Sequence, residues 1–307
     1  MRGDLISGWN NNELRPHIVR FLKSSLNRLH SSLPEKIINH INIFANKKGN
    51  LQKLNEDLYD SLYASIPAEI RSKMSGAFTQ KDIKARALSR AKKIINLIQV
   101  NNKDDFISQF GFASIADIGC GDGSITAALG RQLKIFKSDN HGIDIRKSSC
   151  LSGFTFLTID EDPFNPQTGK YEKWIPLADQ SKTLVTAIMS LHHIKELDFM
   201  LDEINRILIT NGYFVVAEHD ISMGLSKDNK SPELFTQFLD IVHGLYSCVI
   251  TQPREETGRQ FLTRYYSKYR TKSEWIEKIK NKGFRYVREI IDKKNEMARV
   301  WLLFRKN

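Results

Sequence analysis

Three glycines at alternate positions follow an acidic residue in the run Asp117-Ile118-Gly119-Cys120-Gly121-Asp122-Gly123. The apolar run Ala113-Ser114-Ile115-Ala116 precedes them, and residues 124–131 have the pattern of a helix. A strand that turns sharply into a helix needs backbone angles that only glycine adopts without strain. Missing Cβ atoms also let a ligand lie against the main chain, at the helix end whose N–H groups have no intrahelical partner. A pyrophosphate binder would read Gly-x-Gly-x-x-Gly. Here the third glycine comes one residue early, and Asp117 and Asp122 put negative charge where phosphate would sit. The loop therefore suits a ligand bearing positive charge. Taken alone, the run also fits a glycine-rich turn with no ligand, and the downstream segments weigh against that reading.

The first of these is His141-Gly142-Ile143-Asp144-Ile145, a short apolar strand ending in a carboxylate. An acid about twenty residues after such a loop accepts hydrogen bonds from ribose hydroxyls in nucleoside-binding α/β folds. Asp144 is the expected ribose clamp, with Ile145 beside it; an ordinary strand-end turn is the alternative. The second is residues 182–193, Lys-Thr-Leu-Val-Thr-Ala-Ile-Met-Ser-Leu-His-His, whose continuous apolar run fits a buried parallel strand. A helix is expected over residues 198–209, stopped by Asn211-Gly212, and a further buried strand over 213–217 ends at Glu218.

Together these segments resemble motifs I and IV to VI of the class I S-adenosylmethionine-dependent methyltransferases, whose first motif reads acidic-x-Gly-x-Gly-x-Gly. The turn Ile175-Pro176-Leu177 before the fourth strand is similar to the Leu-Pro-Phe turn of that group. The likeness covers residues 114–220. It implies an α/β, Rossmann-like seven-stranded sheet and S-adenosylmethionine as cofactor, held by Asp117, Gly119, Cys120, Gly121, Asp144, Ile145 and Ser190. Such methyltransferases usually place a carboxylate near the end of the third strand for the adenine amino group. Asp160 is the best match by position and Asp179 a weaker one, because a polar insertion through Trp174 separates them. Cys120 is read as a small residue that fits the loop rather than as a nucleophile.

Methyl transfer needs the acceptor positioned and, for a hydroxyl, deprotonated. His192 is the first candidate base, with His219 and His243 as further candidates; packing is the leading reading for His193. The Asn-Pro-Pro-Tyr motif of exocyclic amino methylation is absent, and Ser190 stands where a ribose 2′-O methyltransferase would carry Asp.

The elements around this core set its context. Residues 1–78 read as helices over 13–29, 35–45 and 50–65. A helix over 80–99, capped by Thr79, opens a methyltransferase domain at 79–307. A helix over 273–282 and strands over 285–291 and 298–304 would close the sheet. This tail resembles methyltransferase domains of large DNA viruses. Its cluster Tyr265, Tyr266, Tyr269, Arg270 and Trp275 suggests a stacking surface for a nucleotide, with Tyr265, Tyr266 and Arg270 as substrate contacts. For Trp275, burial in a helix–sheet seam is an equal alternative.

Of the 307 residues, positions 1–100 hold 17 Lys and Arg against 8 Asp and Glu, positions 101–250 hold 13 against 20, and positions 251–307 hold 16 against 7. Basic flanks around an acidic core suggest RNA, in its narrowest form a viral-type mRNA cap, as the substrate. Solvated lysine-rich helices explain the same composition, and a small-molecule acceptor is the enzymatic alternative. A methyltransferase-fold module that binds a partner without turnover is the non-enzymatic one, kept open by the N-terminal helices as a protein-docking extension. Three scattered cysteines argue against a disulfide framework and a zinc site, and no apolar run has the ~20 residues that span a bilayer. No metal, no membrane and a cytoplasmic location are expected.

Overall fold

The computed structural model describes residues 3–26, 31–66, 80–145, 152–167, 170–171, 173–225, 231–245, 257–292 and 299–307. Thr79, the expected cap, lies outside them. The described residues form two compact units, one within 1–80 and 221–267, the other within 81–220, 268–293 and 298–307. The boundary at 78/79 read from the sequence groups residues 221–267 with the catalytic domain, whereas the contacts join them to the N-terminal helices.

The larger unit holds a seven-stranded sheet. Its strands are β1 (Ile115–Ile118), β2 (Asn140–Asp144), β3 (Thr155–Thr158), β4 (Lys182–Ile188), β5 (Leu208–His219), β6 (Phe284–Asp292) and β7 (Arg299–Lys306). They lie in the order β3-β2-β1-β4-β5-β7-β6. The first five pair in parallel, and β7 runs antiparallel to both β5 and β6. All seven residues of β4 are buried, as expected for a parallel strand covered on both faces.

Alternate strand residues face opposite layers. Val185, Ala187, Phe214, Val216, Leu302 and Phe304 pack with Met200, Leu201 and Ile204 of helix Leu197–Ile207 and with Trp275 and Ile279 of helix Lys272–Lys280. Leu184, Val215, Trp301 and Leu303 pack on the other side, with Ala87, Ala91, Ile94 and Ile98 of helix Gln80–Ile98 and Ile125, Leu129 and Leu133 of helix Ser124–Leu133. Each buried large apolar side chain contributes roughly 1.5–3 kcal/mol. Strand order reverses between β1 and β4, and that switch point puts a ligand crevice at their carboxyl ends.

Most element boundaries differ from the sequence reading by one to three residues; the largest shift is at the start of β5. Helix 198–209 ends at Ile207, and β5 starts at Leu208. Asn211 takes the left-handed φ of +61°, so the pairing with β4 jumps from Lys182↔Leu208 to Leu184↔Tyr213. The polar insertion folds back as a short ribbon of Phe164–Asn165 against Lys170–Tyr171. Its exit is pinned: Glu203 Oε2 accepts the Trp174 and Ile175 N–H groups at 3.0 and 2.8 Å, and Arg206 donates to the carbonyls of Ile175 and Leu177.

The smaller unit packs helices Leu5–Asn10, Arg15–Leu26, Leu33–Ala45 and Leu51–Ser65 with Pro232–Leu245 and Gly258–Arg264. Buried Asn55 donates to Asp4 at 2.8 Å and accepts the Ile6 N–H at 3.2 Å, while Tyr59 donates its hydroxyl proton to the Gly3 carbonyl at 3.0 Å. These bonds satisfy polar groups that burial would otherwise leave costly.

Candidate active site

All three loop glycines have left-handed φ: +68° at Gly119, +55° at Gly121 and +72° at Gly123. Any other residue there would cost roughly 1–2 kcal/mol. Their surroundings differ. A Cβ on Gly119 would stand 2.4 Å from Ser190 Cβ, and one on Gly123 would stand 2.0 Å from the Phe154 ring. A Cβ on Gly121 would meet no atom within 4 Å. The loop is thus clamped at both ends by protein and open at its middle glycine, where a ligand can touch the main chain.

Hydrogen bonds fix the clamp. Gly119 and Cys120 donate their N–H groups to the Ile143 carbonyl at 2.8 and 3.1 Å. The Ser190 hydroxyl donates to the Ile118 carbonyl at 2.8 Å. Asp122 accepts the Ser124 N–H at 2.9 Å, an Asx-type turn that leads into the following helix, whose N-cap is Gly123. Cys120 is buried, its sulfur 2.8 Å from where a Gly142 Cβ would stand, in keeping with a small residue that fits.

Asp117 lies beneath the loop and is 2% exposed. Its carboxylate accepts the hydroxyls of Thr126 at 2.6 Å and Thr186 at 2.7 Å, tying β1 to β4 and to the helix after the loop. Burial pushes its pKa up to about 6, against the pull of the two threonines; Asp144 adds to the rise, and Arg90 opposes it. Arg90 is itself pushed down to about 10 by burial and by the like charges of Arg299 and Arg86.

Asp144 ends β2, where its Oδ2 accepts the Gly121 N–H at 2.9 Å. Ile145 beside it is exposed. The Asp144 carbonyl accepts the Ile159 N–H at 3.1 Å, which sets exposed Asp160 beside that strand end; the Asp160 carbonyl holds the Trp174 indole N–H at 2.6 Å. Asp117, Gly119, Cys120, Gly121, Asp144, Ile145, Asp160 and Ser190 are therefore gathered around the carboxyl ends of neighbouring strands β3, β2, β1 and β4. That donor set fits S-adenosylmethionine: paired strand-end carboxylates for ribose hydroxyls and an adenine amino group, an uncovered glycine backbone, and net negative charge for an ammonium and a sulfonium.

His192 lies in the short turn Leu191–His193 after β4, and His219 is the last residue of β5; both are fully buried. Glu218, also buried, faces His192 with both oxygens: its Oε1 accepts the backbone N–H at 3.3 Å and its Oε2 lies 2.5 Å from the ring Nδ1. Tyr269 stacks on the His192 ring at 5.1 Å and meets His219 edge-on at 5.9 Å. His193 is exposed, its ring centroid 4.0 Å from that of His192. Glu218, Thr126 and Thr186 had no assigned role in the sequence reading. For Glu218 the signal was present, since it ends an apolar strand as Asp144 does.

The expected nucleotide-stacking cluster does not form one exposed surface. Trp275 is fully buried in the core between its helix and the sheet, and Tyr269 is 8% exposed, packed against His192 and His219. Arg270 lies 4.7 Å over the Trp275 ring and donates to the Lys268 carbonyl. Tyr265 and Tyr266 belong to the helical unit, where the Tyr265 hydroxyl lies 3.1 Å from His243 Nδ1.

Residues 116–216 match a family model described as a methyltransferase domain. Comparison with curated protein sequences returns no match. Similar solved structures include an S-adenosylmethionine-dependent methyltransferase from Mesorhizobium loti, at 14% identity over 63% of this chain and 90% of that one, TM-score 0.41. A putative one from Listeria monocytogenes shares 13% identity over 73% of this chain and 99% of that one, TM-score 0.45. A third, from Aquifex aeolicus, shares 14% identity over 72% and 98%, TM-score 0.38. Likenesses this low carry no argument about substrate. The strand order, the glycine loop and the matched domain together make the sheet unit a class I methyltransferase domain. Residues 116–216 thus carry a methyltransferase domain, with S-adenosylmethionine the cofactor that domain implies.

Proposed function

We propose that the enzyme methylates a small acceptor taken into an enclosed site at the ends of β4 and β5. The observation that carries this reading is the complete burial of His192, the candidate base, under Tyr269. An acceptor that reaches such a base must be engulfed, which suits a metabolite better than a polymer lying on a surface. When bound, S-adenosylmethionine supplies an electrophilic methyl group on a sulfonium. In this reading Asp144 holds the ribose hydroxyls, Asp160 the adenine amino group, Gly121 the close main-chain contact, and Asp117 a negative field for the ammonium.

RNA, including a viral-type cap, is the second reading, favoured by the mutual proximity of Arg86, Arg90 and Arg299. Against it, the basic tail is partly neutralised within the sheet unit. Lys278 pairs with Asp198 at 2.5 Å and Lys282 with Asp202 at 2.8 Å, both acids of the core. Labelled methyl transfer into a metabolite extract and into total RNA, side by side, decides between the two. Label in metabolites supports the first reading. Label in RNA, with affinity falling steeply as salt rises, supports the second. A protein partner on the helical unit and a reducing cytoplasmic compartment belong to the same proposal; co-purification with the isolated chain and fractionation of cells test them. Among the described residues no helix is long and apolar enough to cross a membrane.

A further inference from the structure

We infer that Glu218 is the positioning residue that fixes His192 as an Nε2 base, and that the methyl acceptor is therefore a hydroxyl. This rests on the methyltransferase reading of the site and deepens it. The geometry begins with two donors and one carboxylate. The His192 backbone N–H and ring Nδ1 face the two oxygens of Glu218 at 3.3 and 2.5 Å, and both side chains are buried. With the ring neutral and the carboxylate ionised, Glu218 can only accept, so the pair assigns the proton to Nδ1 and the lone pair to Nε2. The ring is held from other directions too, by Tyr269 stacked at 5.1 Å, His193 at 4.0 Å and His219 edge-on at 5.8 Å. Its orientation is thus set before any acceptor arrives, as preorganised catalysis requires.

A base of this kind is useful only to an acceptor with a proton to lose. A tertiary ring nitrogen attacks with its own lone pair and needs none. A thiol is partly ionised near neutral pH and an amine attacks through its own lone pair, whereas a hydroxyl is a weak nucleophile until its proton departs, so it is the acceptor that gains most from a base. In the step inferred here the acceptor O–H proton passes to His192 Nε2 as the oxygen lone pair forms the bond to the methyl carbon. The S–C bonding pair remains on sulfur, leaving a neutral thioether. The imidazolium so formed sits against the Glu218 carboxylate, which stabilises it until the proton is returned to solvent.

Glu218→Gln tests the inference because the amide has one accepting oxygen where the carboxylate has two. The backbone N–H of His192 can only donate, so it retains the amide oxygen. The amide NH2 then faces Nδ1 and drives the ring to the opposite tautomer, with the proton on Nε2. Long-range proton–nitrogen NMR of the 15N-histidine-labelled full chain reads the tautomer directly, with His192→Asn identifying the resonance. The expected result is Nδ1–H in the native protein and Nε2–H in Glu218→Gln, with S-adenosylhomocysteine affinity by titration equal in both. Labelled transfer to a panel of phenols, aliphatic alcohols and tertiary ring nitrogens is expected at hydroxyls alone. Loss of the base should lower that rate by roughly 10²–10⁴ in Glu218→Gln. An Nε2–H tautomer in the native chain, an undiminished rate in Glu218→Gln, or transfer confined to tertiary nitrogens would overturn the inference. If no panel member is methylated, the tautomer decides the role of Glu218. Failure to bind S-adenosylhomocysteine would instead count against the cofactor reading beneath it.

Discussion

The carboxylate of Asp144 accepts the N–H of Gly121 at 2.9 Å, joining the end of β2 to the middle of the glycine loop. One residue thus holds the loop in shape while standing at the strand end where the proposed site places the ribose. Asp144→Asn keeps an accepting oxygen for Gly121 but loses the charge and one acceptor offered to the ribose. Asp144→Ala loses both functions. Affinity for S-adenosylhomocysteine is expected to fall about tenfold in the asparagine variant, the equivalent of ~1.4 kcal/mol, and further in the alanine variant. Equal affinities for all three proteins would contradict the clamp.

The two unlike glycine environments separate ligand binding from folding. In Gly121→Ala the new methyl group points into open space, so the cost to stability is the left-handed strain alone, roughly 1–2 kcal/mol. Cofactor affinity should fall much more than stability, because the proposed site places the ligand in that space. In Gly123→Ala the methyl group would stand 2.0 Å from the Phe154 ring, adding an overpacking cost of about 1–3 kcal/mol to the same strain. Urea unfolding beside ligand titration checks the order: the position-121 variant hurts binding more, the position-123 variant stability more.

In the proposed site, Asp117 is expected to make cofactor affinity depend on pH. Its folded pKa of about 6 lies above its ordinary value of 3.8, with burial the largest cause. The fold therefore favours the protonated form, and the stability this contributes below about pH 4 is lost as pH rises through 6. The cationic ligand favours the ionised form, so affinity for S-adenosylmethionine should rise between pH 5 and 7. Titrations across that range should show the rise in the native chain and a flatter profile in Asp117→Asn. An affinity that falls with pH would contradict the electrostatic role.

At the opposite end of β4, Lys182 is 3% exposed and donates to Ser114 at 2.8 Å and to His141 Nδ1 at 3.0 Å. Burial pushes its pKa down to about 8 from 10.5. The charged form is penalised in the fold, so the native protein gains stability as pH rises from 8 towards 10.5. Lys182→Met is expected to raise Tm at pH 7, with the gain shrinking at pH 9. A lower Tm at both pH values would show that the two hydrogen bonds outweigh the burial of charge.

What the sequence makes legible is what local spacing encodes. Alternate glycines after Asp117, a strand-end acid at Asp144 and an unbroken apolar run through β4 are patterns of neighbouring residues, and each matches an element of the sheet unit. The helix over 80–98 and the closing pair β6 and β7 were readable for the same reason. The bond between His192 and Glu218 spans 26 residues and depends on β4 and β5 lying side by side. Its geometry comes from the pairing of those strands. Residues 221–267 follow β5 in sequence, yet their buried Phe235, Phe238 and Leu239 belong to the helical unit. Nothing in their periodicity reveals which unit their apolar face joins. Burial of Trp275 was likewise undecided, because its flanking Arg270 and Lys272 suit an exposed patch as well as a seam.

The central claim is that the clamped glycine loop and Asp144 form the cofactor site of a methyltransferase. Isothermal titration of the full chain with S-adenosylmethionine and S-adenosylhomocysteine, beside Gly119→Arg, tests it most directly. The site described above predicts saturable one-to-one binding of both ligands by the native chain. It also predicts loss of binding in the variant, whose side chain would collide with Ser190. An absence of binding heat at millimolar ligand in the native chain, or equal affinity in Gly119→Arg, would contradict it.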